Sequence, residues 1–499
     1  MDEDGLLGGK FLFKKLPDGL LDKMRVRCTV CKAKFKYHRS ISIVEDDGLR
    51  EVIRAASGDV CYNPPLRGTT QSSKLVQVRN VALTGDHWTS VNNNNYLGVT
   101  AHFIGNDWTL QSFALTVSKT EQRHYAEVCA DHFLSVANEW NIRVKLTTLG
   151  TDSARNMVAA TRLLPFEHMP CMVHILQRTV TVSLNDSTFE TALAKCPKIV
   201  GHFKHSPANA QESKAQQAAH GHQTELLVQD IPTRWNSTLE MIKRIQRNKS
   251  VLTTVLAQQN SKVTMLTDQE FHRLQKLEEL LEPCQYVTEL LGGERYVSCS
   301  MELSALSHLF RIMEPSDDDP GYVLGFKKAF TTDIAQRRDS SNLTWLKIAT
   351  ALDPRFKDLK CLSKDERREV WASVHDLLMA ETHAHQPSAQ TTEEPSPKKN
   401  KMSICLLGNA IDRCLNLYKA EPKIDVGECP LQWWLKREGA HARLAPIAHK
   451  YLSTLATTVP CERLFSHSGH MIQNKRASLS SDNVNRIVCF SNWLSAKKD

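Results

Sequence analysis

The chain has 499 residues, of which 41% are hydrophobic, 24% charged and 7% aromatic, and its formal net charge is +8. This composition excludes a disordered tail, a disulfide mini-protein and a fibrous chain, and the length suggests about three domains. The small surplus of basic residues permits nucleic-acid binding without establishing it.

The cysteines are scattered irregularly between Cys28 and Cys489, which predicts reduced thiols rather than a disulfide framework. The start MDEDGLLGGK lacks the basic and apolar regions of a signal peptide, and no apolar run is long enough to span a membrane. We therefore expect a protein of the cytosol or nucleus without a membrane partner.

The segment 23–39, KMRVRCTVCKAKFKYHR, holds seven basic residues and no acid. Cys28 and Cys31 have the spacing of a zinc knuckle, but a structural zinc site needs four ligands and no matching second pair follows. Basic side chains suited to phosphates accompany them: Lys32, Lys34, Lys36 and Arg39. Two interpretations stay open, a zinc-binding module or a degenerate finger without metal.

Apolar patterning predicts a strand over 74–86 and a hairpin over 95–117 that turns at Gly105-Asn106-Asp107. A helix over 124–140 follows, and then a short strand over 144–152. The next helix starts at Ser153, and MPCMVHILQRTV is a short strand or turn that leads into another helix. This order predicts a mixed sheet with helices on its faces.

From about Ile231 to Met379 the spacing of apolar residues is helical, and 404–494 is again helical and rich in tryptophan. The polar stretch 381–401 contains three prolines and predicts an exposed, disordered loop. Its PKKNK motif is either a nuclear-import patch or a solvated lysine run.

Asp86 and Asp152 each follow a predicted strand, so adjacent strand ends would bring the two carboxylates to one edge of the sheet. Two acids together with a third suit a two-magnesium site for phosphoryl transfer, with metals about 3.5–4 Å apart. The alternative is a turn residue at Asp86 and a helix N-cap at Asp152.

Two short motifs allow a ligand-binding or a purely structural interpretation. Cys171 and His174 are spaced like a zinc-ligand pair, but no second pair lies nearby, so a buried thiol and a hydrogen-bonded core histidine are the favoured interpretation. Arg234 and Trp235 offer a cation and a stacking ring to a nucleotide, or simply begin a helix with Asn236 or Ser237 near its cap.

Eight strings in the same order resemble the hAT superfamily of DNA transposases, in the branch with an N-terminal BED-type zinc finger. They are RCTVCKAKFKY, LTGDHWTSVNNNNYLGVTAHFI, LGTDSARNMVAA, CMVHILQ, TRWNSTLEMI, ALDPRFK, PLQWW and VPCERLFSHSGHMIQNKRASLS. The resemblance implies an α/β plus α protein, a ribonuclease-H-like mixed sheet interrupted by a large helical insertion. It covers the chain from about Lys23 to Leu494.

By resemblance, Asp86, Asp152 and Glu462 correspond to the acids of a DDE-type catalytic site that uses Mg²⁺. Arg234 and Trp235 resemble the family's pair near the cleaved DNA end, and Cys171 and His174 its signature beside the active site. The stretch from Trp433 to Leu494 is similar to the dimerisation region, which implies self-association. Apolar residues on helix faces are expected to contribute to that interface: Trp433, Trp434, Leu464 and Phe465.

The resemblance also implies four segments. They are a truncated BED-type finger (23–39), a first part of the catalytic core (74–230), a helical insertion (231–403) and a C-terminal core part with the dimerisation region (404–494). The finger departs from the family because Arg39 runs straight into SISIVEDDGLREVIRAAS, where its second half is expected. This departure weighs against zinc binding and against recognition of transposon ends.

Two functions follow from the resemblance. The first is a transposase-derived nuclear protein that binds DNA, forms homodimers and regulates transcription or chromatin, and the incomplete finger favours it. The alternative is an active transposase that cuts and joins DNA strands with Mg²⁺.

Overall fold

The computed structural model describes residues 11–15, 21–28, 34–36, 69–90, 93–120, 125–185, 188–221, 223–231, 234–258, 263–293, 296–339, 341–384, 397–471, 484–485, 488–489 and 491–493. Within these ranges the description covers the backbone alone at 11–72, 235, 383–384, 397–405 and 467–471.

A small antiparallel sheet lies near the N-terminus. It consists of β1 (Phe11–Lys15), β2 (Leu21–Cys28) and β3 (Lys34–Lys36), in the order β1-β2-β3. The predicted basic segment thus supplies most of two strands, and Cys28 ends β2. Of the other finger residues, Lys34 and Lys36 lie in β3, whereas Cys31, Lys32 and Arg39 lie outside the described residues.

The main sheet has five strands: β4 (Val81–Thr89), β5 (Asn95–Ile104), β6 (Leu110–Thr120), β7 (Leu146–Thr151) and β8 (Glu167–Pro170). Their order is β6-β5-β4-β7-β8, with antiparallel pairing from β6 to β4 and parallel pairing from β4 to β8. The predicted mixed sheet is confirmed.

The strand expected over 74–86 is wrong in its first part. Residues Thr69–Gln77 form helix α1, and the strand begins at Val81 and continues beyond Asp86. Leu75 and Val78 are buried, so the apolar run packs against the sheet from a helix. A short apolar run does not distinguish a strand from a buried helical turn by its spacing alone.

The predicted hairpin is confirmed between β5 and β6. The amide N–H of Gly105 donates to the carbonyl of Thr109 and that of Trp108 to the carbonyl of Gly105, both at 2.9 Å. The Asp107 carboxylate accepts hydrogen bonds from the Thr109 hydroxyl and amide, which closes the turn. Trp108 has a φ of +55° there and belongs to the turn rather than to the second arm.

Two helices cover the sheet in the first part of the chain, α2 (Ala126–Glu139) and α3 (Arg155–Thr161). The chain is helical again from Met172, well before Ile231. These helices are α4 (Met172–Asn185), α5 (Glu190–Leu193), α6 (Cys196–Lys204), α7 (Pro207–Ala219), α8 (Trp235–Arg247), α9 (Lys249–Gln258), α10 (Asp268–Leu291), α11 (Glu302–Ile312) and α12 (Gly321–Asp339). They share one hydrophobic core around Leu176, Leu281 and Phe326.

Five C-terminal helices contribute to a separate core around Trp345, Tyr418 and Trp434. They are α13 (Leu343–Leu352), α14 (Lys364–Ala384), α15 (Pro397–Ala420), α16 (Pro430–Arg437) and α17 (Ala445–Leu452). The last helix, α18 (Val459–Met471), packs through Leu464 in the core of the main sheet. The ends of the expected loop over 381–401 are therefore helical, and residues 385–396 lie outside the described residues. Among the described helices, none is both long and apolar enough to cross a membrane.

The expectation that Trp433, Trp434, Leu464 and Phe465 lie on exposed helix faces is wrong. All four are buried within this chain. The two tryptophans pack in the C-terminal core, Leu464 packs in the core of the main sheet, and Phe465 stacks on Trp88 at a ring distance of 5.9 Å. Burial in the protomer removes them from its surface, so they stabilise the fold.

Candidate active site

Asp86 lies inside β4 rather than after it, and its side chain is only 7% exposed. The carboxylate oxygen Oδ1 accepts a hydrogen bond from the amide of His87 at 2.7 Å. Burial raises the pKa of Asp86 to about 7, and the nearby Asp152 and Glu462 add to this effect, whereas His174 and the His87 amide oppose it. A buried acid with acidic neighbours is an arrangement that favours binding of a cation.

Asp152 directly follows β7, the parallel neighbour of β4, as the sequence predicts. Its Oδ1 accepts a hydrogen bond from the Ala154 amide at 3.2 Å, just ahead of α3. Asp152 lines the same cleft as Asp86. The helix begins at Arg155 with Ala154 as its N-cap, so the expectation that Asp152 caps a helix beginning at Ser153 is wrong, and Asp152 lies in the turn before the helix, on the cleft.

Glu462 reaches this cleft from α18, which packs across the main sheet. The helix is held there by Phe465, whose ring lies over Gly98 of β5. Cys461 is buried beside the hydroxyl groups of Thr84 and Thr100, with sulfur–oxygen distances of 3.4 and 3.7 Å. The carboxylate is thus placed by apolar and polar contacts of its neighbours in the helix.

His174 and Cys171 form a polar pair next to the acids. The buried Cys171 sulfur accepts a hydrogen bond from the Thr458 amide at 3.2 Å. His174 is half-buried, with Nε2 at 3.8 Å from Oε1 of Glu462. The structure therefore supports the interpretation of Cys171 as a buried thiol, whereas His174 faces the cleft rather than a core.

The pKa values of this pair move in opposite directions. Burial alone would lower the pKa of His174, but Cys171, Asp86 and Glu462 outweigh it and raise the pKa to about 10. Burial alone would raise the pKa of Cys171, but the His174 charge and the hydrogen bonds from His174 and Thr458 lower it. An imidazolium that faces carboxylates offsets part of their mutual repulsion.

Three side chains can together contact one metal ion. Ligand atoms of Asp86, His174 and Glu462 all lie within 4.8 Å of one another. Carboxylate oxygens suit Mg²⁺ and Mn²⁺, and an imidazole nitrogen is accepted by Mn²⁺ more readily than by Mg²⁺. The chemistry of the donor set fits a divalent cation, with Asp152 as a further carboxylate on the same cleft.

The cleft has a volume of about 740 Å³, and Arg234 is among the residues that line it. Arg234 is the N-cap residue of α8, and the Ser237 hydroxyl accepts a hydrogen bond from the Ile231 amide at 2.7 Å. The expected helix start is confirmed, with Asn236 and Ser237 in the first turn next to the cap. The side chain of Trp235 lies outside the described part of the chain.

Sequence reasoning missed several residues that line the cleft. Trp88, Gln177, Thr288 and Val459 complete its walls. Trp88 follows Asp86 by two residues in the same strand, and alternation along the strand would have indicated a shared face. Thr288 belongs to α10, and nothing in its local sequence separates it from a core residue.

Three family descriptions match parts of the chain. The ZBED1 RNase-like domain matches residues 84–173, the ZBED1 RNase-like helical domain matches 169–280, and the hAT family C-terminal dimerisation region matches 414–494. The first includes Asp86, Asp152 and Cys171, and the last includes Glu462. The cleft is therefore formed by segments of all three regions.

The chain is also similar to whole proteins. It is 25% identical over 476 residues to a Zea mays protein named "Putative AC transposase", and the aligned stretch covers 85% of this chain and 58% of that protein. It is 21% identical over 479 residues to "Putative transcriptional regulator tpeD" of Talaromyces stipitatus (84% and 54%). A human protein, "Zinc finger BED domain-containing protein 6", is 21% identical over 473 residues (83% and 48%). The chain thus spans about half to three fifths of the length of these relatives.

Proposed function

Because this chain belongs to the hAT transposase superfamily, in the branch that includes BED-type zinc finger proteins, we propose that it binds DNA in the acid-lined cleft and cleaves a phosphodiester bond there. One observation carries the proposal. Asp86, Asp152 and Glu462 come from distant segments and line one cleft together with Arg234.

The proposed roles follow from charge and position. Asp86, Glu462 and His174 would hold the cation, with Asp152 as a further carboxylate on the cleft. Before a cation arrives, a protonated His174 would balance part of the negative charge, and it would lose its proton when the cation replaces that proton. A bound divalent cation would supply Lewis-acid stabilisation of the developing charge on phosphate. Arg234 and the N-terminus of α8 would attract the DNA backbone, because guanidinium groups and helix N-termini both bind phosphate.

A second candidate function is regulation of transcription or chromatin in the nucleus by a homodimer that binds DNA. The relative named as a transcriptional regulator and the incomplete N-terminal finger favour it. The two functions share DNA binding and self-association and differ in strand cleavage. Terminal inverted repeats and short target duplications beside the gene would favour a mobile element, and their absence a transposase-derived regulator.

Nicking of a supercoiled plasmid with Mg²⁺ or Mn²⁺ tests the cleavage proposal without knowledge of the preferred DNA sequence. The wild-type protein is expected to nick the plasmid. Asp152→Ala is expected to lose at least about a hundredfold in rate, since removal of a group that acts in the transition state costs a few kcal/mol. The control Glu139→Ala, an exposed acid on α2, should retain the wild-type rate. Equal rates for wild type and Asp152→Ala, or no nicking by the wild type, would contradict strand cleavage.

A further inference from the structure

A buried polar network lies between the main sheet and α18, next to the acid-lined cleft. Its members are Thr84 of β4, Thr100 and His102 of β5, and Cys461 of α18. Each of these residues is at most 2% exposed, and none of the four is among the residues that line the cleft. Burial of a polar group costs free energy unless hydrogen bonds compensate it, so the contacts within the network decide whether it is stabilising.

The contacts run without interruption from His102 to the helix. The imidazole Nε2 lies 2.9 Å from the Thr100 hydroxyl and 3.1 Å from the Thr84 hydroxyl, and the two hydroxyls bond to each other. The Thr84 hydroxyl lies 3.4 Å from the sulfur of Cys461. The Cys461 thiol lies 3.4 Å from the carbonyl of Thr84 and 3.6 Å from that of Gly98, and it can donate to either. The network therefore joins α18 to both β4 and β5.

The imidazole of His102 sets the direction of these hydrogen bonds. Burial lowers the pKa of His102 to about 3, so the ring is neutral and carries one N–H. Its Nδ1 has no hydrogen-bond partner among the residues that the structure describes, whereas Nε2 has two hydroxyls within reach. Because a buried N–H without an acceptor is costly, the proton belongs on Nε2. With Nε2–H donating to Thr100, the Thr100 hydroxyl donates to Thr84 and the Thr84 hydroxyl to Cys461.

Two members of the network adjoin candidate metal ligands. Cys461 directly precedes Glu462 on α18. Thr84 lies two residues before Asp86 on β4, and residues two apart in a strand share a face. A buried network whose bonds are satisfied favours one placement of its members over nearby alternatives. The network thus bears on how the helix that carries Glu462 lies against the strand that carries Asp86.

We propose that His102 is a positioning residue for the reaction in the acid-lined cleft. Its Nε2–H orders the hydroxyls of Thr100 and Thr84, these hold Cys461, and the Glu462 carboxylate is thereby fixed relative to Asp86. In this role His102 touches neither the cation nor DNA and acts only through the network. The inference rests on the proposed function, because it requires both carboxylates to act on one cation.

Two substitutions at His102 test the proposal directly. His102→Leu removes the donor, and His102→Gln keeps an N–H donor near the position of Nε2. At saturating plasmid, His102→Leu is expected to nick at least about tenfold more slowly with an unchanged KM, and to bind Mn²⁺ at least about threefold more weakly in calorimetric titration. Loss of a group that orients metal ligands typically costs about 10–100-fold in activity or affinity. His102→Gln should recover a large part of both losses, because it restores the donor.

Substitutions at Thr84 provide a second test that leaves the imidazole in place. Thr84→Val keeps the shape of the side chain and interrupts the network between His102 and Cys461. Thr84→Ser keeps the hydroxyl and loses only a methyl group. We expect Thr84→Val to behave as His102→Leu does and Thr84→Ser to stay near the wild-type rate and Mn²⁺ affinity. A role in packing alone predicts the opposite order, because Thr84→Ser leaves a cavity in the core.

The matched control is Thr148→Val, which removes a buried hydroxyl of β7 that lies 3.2 Å from the hydroxyl of Thr454. It should keep the wild-type rate and Mn²⁺ affinity. Circular dichroism shows whether each variant is folded, and the pair at Thr84 decides if His102→Leu is not.

The outcomes separate this inference from the proposed function. A wild-type protein that neither nicks plasmid nor binds Mn²⁺ overturns both. A wild-type protein that binds Mn²⁺ without nicking contradicts strand cleavage, and the positioning role is then upheld if His102→Leu binds Mn²⁺ more weakly than His102→Gln and overturned if the two bind equally. A wild-type protein that nicks, with folded His102→Leu and Thr84→Val that match it in rate and Mn²⁺ affinity, overturns the positioning role alone.

Discussion

In the described part of the chain, Asp86 and Glu302 are buried carboxyl groups without a basic partner as close as the one that Arg355 offers the buried Asp353, and of the two only Asp86 faces the cleft. Asp86 lines the cleft, where a cation would compensate its burial. Glu302 of α11 is 2% exposed, and its Oε2 has no hydrogen-bond partner among the described residues. Burial, together with the charge of Cys171, raises the pKa of Glu302 to about 8. Glu302 is therefore largely protonated at neutral pH.

Replacing Glu302 should make the protein more stable in alkali. The pKa of this group rises from 4.5 to about 8 on folding, so the wild type loses stability as the pH rises through this window. The glutamine of Glu302→Gln does not ionise, so the variant escapes this loss. Above about pH 8 the free energy of unfolding of the variant should be higher than that of the wild type, by at most about 5 kcal/mol. Urea unfolding over a range of pH measures this difference. A variant with the same pH dependence as wild type would show that Glu302 does not titrate in this window.

The residues of the candidate site differ in how far local sequence could identify them. Asp86 and Asp152 stand at or near strand ends, and the resulting prediction that they lie on adjacent strands is confirmed. Glu462 has no local feature that separates it from other acids on helices, and only the resemblance to a family selected it. His174 faces the acids because α18 brings Glu462 to 3.8 Å from its Nε2, and sequence spacing does not encode this.

At the scale of single elements, the position of Glu462 depends on how α18 packs on β5. A Cβ atom at Gly98 would come within 2.6 Å of the Phe465 ring, so the ring and the helix can approach only a glycine. Gly98→Ala should displace Phe465 and the Glu462 carboxylate with it. Because misplacement by about 1 Å can cost about a hundredfold in rate, we expect nicking to fall at least tenfold.

The matched control for this substitution is Gly427→Ala, where an added Cβ meets no atom within 4 Å. It should retain the wild-type rate. Calorimetric titration with Mn²⁺ is the second measurement, and Gly98→Ala should bind the cation more weakly than Gly427→Ala. Equal affinity and equal nicking in the two variants would show that α18 tolerates the displacement.

The hairpin turn between β5 and β6 joins the main sheet to the C-terminal helices. Trp108 is fully buried, stacks on Trp434 at a ring distance of 5.6 Å and contacts His449 at 4.2 Å. Trp108→Ala removes both contacts and leaves a cavity, so the free energy of unfolding should fall by about 3–5 kcal/mol. Denaturant unfolding measures the loss, with the exposed Tyr125→Ala as control. A loss below about 1 kcal/mol would show that the turn does not anchor the C-terminal core.

Elements differ in predictability for a physical reason. The hairpin was predicted because its turn signal and both arms are adjacent in sequence. The apolar pattern at helix α1 resembles that of a strand because Leu75, and Val78 just after the helix, pack against a sheet that forms from later residues. The C-terminal residues Asn485 and Asn492 accept hydrogen bonds from amides of the edge strand β6 at 2.9 Å, a contact over more than 360 residues that no local pattern indicates.

At the scale of the whole molecule, the burial of Trp433 and Trp434 bears on how two copies associate. Residues 414–494 match a dimerisation region, yet its most apolar residues lie inside the protomer. Among the described residues of this region, the large apolar side chains that are exposed are Leu417 on α15, Val426 in the following loop and Leu435 on α16. An interface core needs apolar side chains that are accessible in the free protomer. These positions meet that requirement and the tryptophans do not.

The full chain is therefore expected to form a dimer that depends on Leu417 and Leu435. The double variant Leu417→Glu/Leu435→Glu should associate at least tenfold more weakly, because charges placed in the core of an interface cost more than 1.4 kcal/mol. Its thermal unfolding as a monomer should be unchanged. Sedimentation equilibrium measures the association, and Leu226→Glu, at a 64% exposed site outside this region, is the control. Trp434→Ala should instead lower the unfolding temperature, because its ring fills a core. A stable monomer of Trp434→Ala, together with a double variant that remains dimeric, would contradict this interface. The C-terminal core itself would then form the interface and would have to open when two copies associate.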